Sequence, residues 1–98
     1  MPKTIDLKKT RGEWEHRGFS FSVWEDPPGK VWEDFCHDED ELFMLIDGDM
    51  ELEINDRPFH PEAGQEVFIP AKMYHSVRNL GKKECRYAFG YREKRPTA

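Results

Sequence analysis

The 98-residue chain has a net charge of −5, with 37% hydrophobic and 36% charged residues. A chain of this length forms one domain with a modest core, and its 13% of aromatic residues is typical of globular rather than disordered proteins. The acidic balance and the lack of a basic stripe exclude nucleic acid as an expected partner. No apolar run approaches the roughly 20 residues of a membrane span. The amino terminus lacks the apolar centre of a signal peptide, so a cytoplasmic location is expected.

The chain is predicted to be β-rich, because apolar residues alternate at a period of two and no window of a dozen residues shows helical spacing. Turn-forming residues separate the alternating runs at 27–29, 55–56, 61–64 and 81. In chain order, the runs are GFSFSVW, KVWEDFCH, ELFMLIDGDMELEIN, RPFH, EVFIP, HSVRN and ECRYAFGYR. About eight short strands at this spacing predict an all-β sandwich or barrel.

A single domain is expected over residues 1–98, with its core at about 15–92 and a basic tail at 93–98. The run ELFMLIDGDMELEIN is predicted to be a β-hairpin with Asp47-Gly48 at its tip, a pair favoured in type I′ turns. Pairing across this turn places six residues on one face, and five of them are apolar: Glu41, Phe43, Leu45, Met50, Leu52 and Ile54. This face is predicted to point into the core, where the carboxylate of Glu41 needs a partner or an opening.

The opposite face of the first hairpin strand is also apolar, since it carries Leu42, Met44 and Ile46. A strand with one solvated face would carry polar residues at these positions, so the strip needs a cover. A second subunit in a two-fold homodimer is the expected cover for so short a chain.

The next prediction concerns the acidic run between His37 and Glu41. By strand parity Val31, Glu33, Phe35 and His37 share one face, which we expect to be the inner one. On one straight strand His37 and Glu41 would lie about 13 Å apart at ~3.3 Å per residue. Residues 38–40 are soluble and turn-tolerant, so they are predicted to turn the chain back and bring the two side chains together.

These residues resemble the two motifs of the cupin superfamily. The first motif is matched by three residues at the family spacing: His37, Glu41 and Gly48. The second motif is matched by four: Gly64, Pro70, His75 and Asn79. The resemblance covers residues 30–80 and implies a small cupin-like double-stranded β-helix, or jelly-roll barrel. It also implies a divalent metal ion (Fe, Zn, Mn or Ni) held by His37, Glu41 and His75.

Three positions depart from the family pattern. Phe35 stands where the first metal histidine is expected, Lys72 stands where the second motif has glycine, and only Gly29, at a shifted spacing, could supply the glycine before the first motif. The site thus keeps two histidines and one glutamate, whose side-chain ends should converge within roughly 4.5 Å, the span of two metal bonds. Glu33 is a weaker candidate for a substitute ligand.

Two functions from different classes remain open. The first is a metal-dependent dioxygenase or isomerase that acts on a small molecule, because two histidines and one carboxylate suit Fe(II) oxygenase or zinc chemistry. The other is a non-catalytic module that binds a small molecule or a metal, favoured by the lost ligand at Phe35. Each site residue also has a structural reading: His37 could hydrogen-bond Glu41, and His75 could be a loop histidine. Asn79 is predicted to be structural, and Cys36 and Cys85 to be reduced.

Overall fold

The computed structural model describes residues 5–93 as one helix and eight strands. In chain order, the elements are α1 (Leu7–His16), β1 (Ser22–Asp26), β2 (Val31–Phe35), β3 (Glu41–Asp47), β4 (Glu51–Ile54), β5 (Arg57–Phe59), β6 (Glu66–Ile69), β7 (His75–Arg78) and β8 (Cys85–Tyr91). The predicted all-β class with about eight short strands is confirmed. Of the predicted tail, 93–98, all but Glu93 lies outside the described residues. Within residues 5–93, no helix has the length and apolar character needed to cross a membrane.

The strands form two four-stranded antiparallel sheets. The first has the order β1-β8-β3-β6 and the second the order β2-β7-β4-β5. Consecutive strands therefore lie mostly in different sheets, and among the described strands only β4 and β5 form a hairpin. Two facing sheets with this connectivity are the jelly-roll arrangement that the resemblance implies.

The predicted hairpin over residues 41–55 is wrong, because β3 and β4 do not pair. β3 lies between β6 and β8, whereas β4 lies between β5 and β7. Gly48, at φ 102°, instead carries the chain from one sheet to the other. A Cβ at this position would lie 2.7 Å from Cys85 Sγ, so the crossing needs glycine for space as well as for conformation.

The predicted inward face of β3 and β4 is nevertheless correct. Alternate residues of both strands point between the sheets and join residues of the other strands in one core. The buried members are Phe43, Leu45, Met50, Leu52, Val67, Ile69, Val77, Cys85 and Tyr87. Leu52 is fully buried and Phe43 is 1% exposed, so this apolar packing between the sheets is the main source of stability.

Helix α1 was not predicted from the sequence. Leu7 and Trp14 are its only large apolar residues, and two such positions do not form a recognisable helical repeat. Its amino terminus is capped by Asp6, whose side chain accepts a hydrogen bond from the Lys9 backbone N–H at 3.0 Å. The Trp14 indole is 1% exposed and donates a hydrogen bond to Glu66 Oε1 at 3.1 Å. The helix is thereby fixed to β6.

The helix and the segment after it cover the outer face of the first sheet. A second apolar cluster forms there from Trp14, Phe19, Leu42, Met44 and Ala88. The apolar strip of β3 is therefore covered by the chain's own amino-terminal segment, and it no longer argues for a second subunit. The homodimer stays a prediction.

Candidate metal centre

Strand β2 leads into the site through an irregularity in its pairing with β7. The register shifts between Trp32 and Phe35, as in a β-bulge. Trp32, Phe35 and His37 consequently all line the cavity between the sheets, although their spacing would not place them on one face of a regular strand. Cys36, next to His37 in the chain, is exposed and free.

The bulge overturns the inward placement expected for Val31 and Glu33. Val31 is 42% exposed, and Glu33 accepts a hydrogen bond from Arg78 Nε at 2.6 Å on the outer face of the second sheet. Arg78 also contacts Glu51 and Glu53, so it is the centre of a surface ion-pair network. Glu33 is thus engaged away from the cavity and is not a substitute ligand.

The acidic run forms the predicted turn, which is fastened to two other segments. The Lys72 backbone N–H donates to the His37 carbonyl at 2.6 Å, and the Ala71 N–H donates to Asp40 Oδ1 at 2.8 Å. Arg92 Nε donates to Asp40 Oδ2 at 3.1 Å. The Ala71 N–H and the Arg92 guanidinium together hold the pKa of Asp40 below its usual value. Lys72 has φ 64°, the left-handed conformation that explains why the family motif has glycine there.

The structure brings His37, Glu41 and His75 together. Glu41 opens β3 and His75 opens β7, so both side chains project from strand starts at the same end of the two sheets. Glu41 Oε1 lies 3.6 Å from His37 Nε2 and 3.3 Å from His75 Nε2. One ligand atom from each residue lies within 4.8 Å of the others, close to the span expected for ligands of one metal ion.

Glu41 is the anomalous member of this group. Its side chain is 7% exposed, and Oε1 has no hydrogen-bond partner of acceptable geometry among the described residues. A buried carboxylate oxygen without a partner is costly, so something absent from the chain should satisfy it. A divalent cation between Glu41 and the two imidazoles would do so, and an N,N,O donor set is one that such ions accept. The residues present therefore fit the metal that the resemblance implies.

The ring of His75 is oriented for the same role. Its Nδ1 lies 3.2 Å from the Met73 carbonyl, which can only accept, so the proton of the neutral ring is on Nδ1. The Nε2 lone pair then faces Glu41, as is usual for a histidine that binds metal. Burial lowers the pKa of His75, but the Glu41 carboxylate and the Met73 carbonyl outweigh burial and raise it above 6.5.

The three residues open into a cavity of about 220 Å³ between the sheets. Seven of its eleven lining residues are aromatic: Trp24, Trp32, Phe35, Phe43, Tyr87, Phe89 and Tyr91. The sequence patterns did not single out Trp24, Trp32 or Tyr91 as cavity residues. Tyr91 shares its strand parity with Tyr87 and Phe89, and that alternation was the available signal.

Tyr91 is the polar aromatic residue next to the three candidate ligands. Its hydroxyl lies 3.5 Å from His37 Nε2, and the two rings meet edge to face with centroids 4.9 Å apart. Burial, followed by the charges of Glu41 and Glu39, raises the pKa of Tyr91 to about 12. The hydroxyl is therefore protonated at neutral pH and available as a hydrogen-bond donor.

A second buried carboxylate, which the sequence did not indicate, fixes two of the cavity walls. Asp26 is 1% exposed and accepts hydrogen bonds at 3.0 Å from Trp32 Nε1 and from the Tyr87 hydroxyl. Asn79 donates to the Asp26 carbonyl at 3.1 Å and is itself fully buried. Asn79 is thus structural, as predicted, and acts through Asp26 on the shape of the cavity.

Comparison with known proteins identifies the fold family. The family described as the cupin domain matches residues 22–91, which include both sheets and all three candidate ligands. The chain belongs to this family. A curated protein, polyketide synthase CurC from Streptomyces cyaneus, is 32% identical over 63 residues. That match covers 63% of the chain and 41% of the relative, so the chain corresponds to less than half of that protein.

Solved structures show the same fold. A protein from Photorhabdus luminescens is 26% identical with a TM-score of 0.71, covering 79% of this chain and 64% of the other. A predicted oxalate decarboxylase from Thermotoga maritima has a TM-score of 0.71 at 21% identity, covering 84% and 73%. The cupin domain of a transcriptional regulator from Enterobacter cloacae has the same TM-score and identity, covering 84% and 90%. Because enzymes and regulators share this fold, the fold alone does not choose between them.

Proposed function

We propose that His37, Glu41 and His75 hold a divalent metal ion at the mouth of the aromatic cavity, and that a small molecule binds beside it. The observation that carries this proposal is the buried, unpartnered Oε1 of Glu41, which lies 3.3 and 3.6 Å from two imidazole nitrogens. Two neutral imidazoles and one carboxylate leave coordination positions open to a substrate. Fe, Zn, Mn and Ni all accept this donor set, so the identity of the ion is a matter for measurement.

Each residue of such a site would have a distinct role. Glu41 supplies the charge that balances a cation, while the Met73 carbonyl keeps the Nε2 lone pair of His75 directed at the site. A bound metal supplies Lewis acidity toward a ligand oxygen. Tyr91 can donate a hydrogen bond to that oxygen, and the aromatic walls exclude water around it. The small molecule could be of the polyketide class, which is the class in the name of the curated relative.

The test is calorimetric titration of chelator-treated protein with Zn²⁺, Mn²⁺, Ni²⁺ and, without oxygen, Fe²⁺. The assay is run well above the ordinary histidine pKa of ~6.5, because protons compete with the metal ion for imidazole nitrogens. His75→Ala should weaken metal binding by at least about 100-fold. This is the upper limit of the loss caused by mutating a residue that only orients a metal ligand. His60→Ala is the matched control, because His60 is an exposed histidine that lies 3.4 Å from Asp49 and outside the cavity. Equal losses in both variants, or no binding to the parent protein, would refute the metal site.

The second candidate function is a module that binds a small molecule without turnover. Phe35 favours it, since an apolar ring replaces a family ligand and lies 37% exposed at the cavity mouth. Oxygen uptake by the Fe²⁺-loaded protein with a panel of phenols, thiols and sugars distinguishes the metal-dependent enzyme from the binding module. Uptake that depends on both the metal and one class of compound supports the enzyme, whereas binding without uptake supports the module.

A further inference from the structure

We infer that the cavity selects a single-ring aromatic molecule that carries a hydroxyl group, with the hydroxyl at the His37–Glu41–His75 end and the ring between the aromatic walls. This inference rests on the proposed function, since it names the ligand class of the same site. It depends on four properties of the cavity: its size, its aromatic lining, its charge and the position of its polar atoms.

Size limits the ligand to one ring. An engineered protein cavity of about 150 Å³ holds benzene, and this cavity measures about 220 Å³. The additional volume accommodates one or two small substituents. Drug-sized ligands occupy sites of roughly 300–1,000 Å³, so larger polycyclic molecules would not be enclosed.

The lining favours an aromatic over a saturated ring. Val77 is the one aliphatic side chain among the lining residues, beside seven aromatic ones. Trp32 and Phe35 have ring centroids 5.6 Å apart and an interplanar angle of 51°, so they present a face and an edge to the same space. Phe35 continues this wall to His37, with the two rings nearly parallel at 6.0 Å. Aromatic pairs in such arrangements gain about 0.5–1.5 kcal/mol beyond the burial of area.

Charge excludes small organic dianions. None of the described residues that line the cavity is lysine or arginine, and Glu41 places a carboxylate inside it. A dianion such as oxalate would lose its hydration without gaining a cationic side chain and would be repelled by Glu41. In the metal-free protein the site should therefore reject oxalate.

The polar atoms lie at one end and suit a hydroxyl. Glu41 Oε1 is an acceptor without a partner, and Tyr91 presents a hydroxyl 3.5 Å from His37 Nε2. A phenolic O–H could donate to the carboxylate while its oxygen accepts from Tyr91. The Tyr87 hydroxyl is already bonded to Asp26, so it does not compete for the ligand's proton.

The experiment is a titration of ¹⁵N-labelled protein with p-cresol, in EDTA and again with Zn²⁺, followed by the indole N–H signals of the three tryptophans. Trp24 and Trp32 line the cavity, while Trp14 belongs to helix α1, is buried in the apolar cluster outside the cavity and is the internal reference. We expect p-cresol to change the chemical shifts of the Trp24 and Trp32 indole N–H signals and to leave that of Trp14 unchanged. 4-Methylcyclohexanol should bind about two- to twelvefold more weakly than p-cresol, which corresponds to the aromatic gain of ~0.5–1.5 kcal/mol. Toluene, which lacks the hydroxyl, should also bind more weakly.

Variants identify the residues responsible. Phe35→Ala should weaken p-cresol binding at least about fivefold, whereas Phe68→Ala, at an exposed phenylalanine on β6, should not change it. Tyr91→Phe should narrow the preference for p-cresol over toluene, and Tyr74→Phe is its exposed control. Shifts confined to Trp14, equal affinity for p-cresol and its saturated analogue, or tight oxalate binding in EDTA would overturn the inference. Because the EDTA arm needs no metal, p-cresol binding there without any Zn²⁺ binding would leave the ligand class standing while the metal site fails.

Discussion

At the scale of single residues, Glu41 is where stability and the proposed function oppose each other. Its Oε1 is buried without a partner among the described residues, which costs free energy in the metal-free protein. In a metal-loaded protein the same oxygen would become a ligand. The proposed metal ion therefore explains why Glu41 is buried at this position.

Glu41→Gln should make the metal-free protein more stable by about 1–2 kcal/mol, because a neutral amide is less costly to bury than a carboxylate. Unfolding by denaturant in EDTA, at a pH well above the ordinary histidine pKa of ~6.5, measures the change in the free energy of unfolding. The same variant should lose metal binding in calorimetry. Glu62→Gln, at an exposed position, is the control. A less stable glutamine variant would mean that the carboxylate is already satisfied without metal.

Phe35→His should restore the missing family ligand. The Phe35 ring lies beside both histidines, with centroids 6.0 Å from His37 and 6.4 Å from His75. Histidine fits the same space, and the loss of apolar area at a partly exposed position should cost about 1 kcal/mol without metal. A fourth protein ligand should tighten metal binding at least tenfold, or ~1.4 kcal/mol.

The control for this gain is the double variant Phe35→His with His75→Ala, in which the new ligand lacks one of its three companions. Calorimetry should then show no tightening over His75→Ala alone. Unchanged affinity in a folded Phe35→His protein would show that position 35 no longer faces a metal position, and it would favour the metal-free binding module.

At the scale of elements, Asp40 links the three segments that surround the site. Asp40 immediately precedes β3. Its side chain accepts one hydrogen bond from the Ala71 N–H, in the turn before β7, and another from Arg92, just after β8. Asp40→Ala should lower the free energy of unfolding at pH 7 by about 1–2 kcal/mol, since hydrogen bonds to a charged group are lost but Arg92 is half exposed.

The pH dependence of this loss has a definite sign. The pKa of Asp40 is lowered in the folded protein, so its contribution is present above the usual value of 3.8 and disappears as the pH falls through the folded pKa. Denaturant unfolding of parent and Asp40→Ala should therefore differ at pH 7 and converge toward pH 3. A difference that persists undiminished in acid would assign the effect to packing and not to charge.

Sequence patterns predicted the strands of this domain better than their pairing. Alternation and turn residues located all eight strands, because burial of one strand face is a local property. The Asp47-Gly48 pair was wrongly assigned to a hairpin, since a turn that permits left-handed φ serves equally for a crossing between sheets. The β2 bulge reversed the parity of Glu33, and no local feature of KVWEDFCH signals it. Motif spacing grouped the three candidate ligands, but it could not reveal Asp26 or Tyr91.

At the scale of the whole molecule, helix α1 takes the place that the sequence assigned to a second subunit. Trp14 is 1% exposed and packs against Leu42 and Met44 of β3. Trp14→Ala should destabilise the protein by about 3–5 kcal/mol, as for other large-to-small changes in a core. Thermal or denaturant unfolding measures this loss, with Trp24→Ala, at a half-exposed tryptophan, as the comparison. Equal losses in the two variants would show that the helix contributes little to covering the sheet.

The homodimer prediction then needs a different surface. Strands β1 and β2 are edge strands of the two sheets, and they carry exposed apolar side chains, Trp24 at 50% and Val31 at 42%. Edge strands present unpaired backbone groups, and exposed apolar residues on them favour association. We expect a two-fold dimer through these edges, which would also cover the open side of the cavity that Trp24 lines.

Sedimentation at micromolar concentrations tests this expectation. The parent chain should sediment as a dimer, and Trp24→Lys should dissociate it, because a charge would be buried at the centre of the contact. Phe68→Lys is the matched control on β6, the edge strand at the other side of the first sheet, where Phe68 is 49% exposed. Dissociation by Phe68→Lys alone would move the interface to the β6 edge. A parent chain that stays monomeric throughout would refute the dimer, and the cavity would then have to bind its ligand with Trp24 facing solvent.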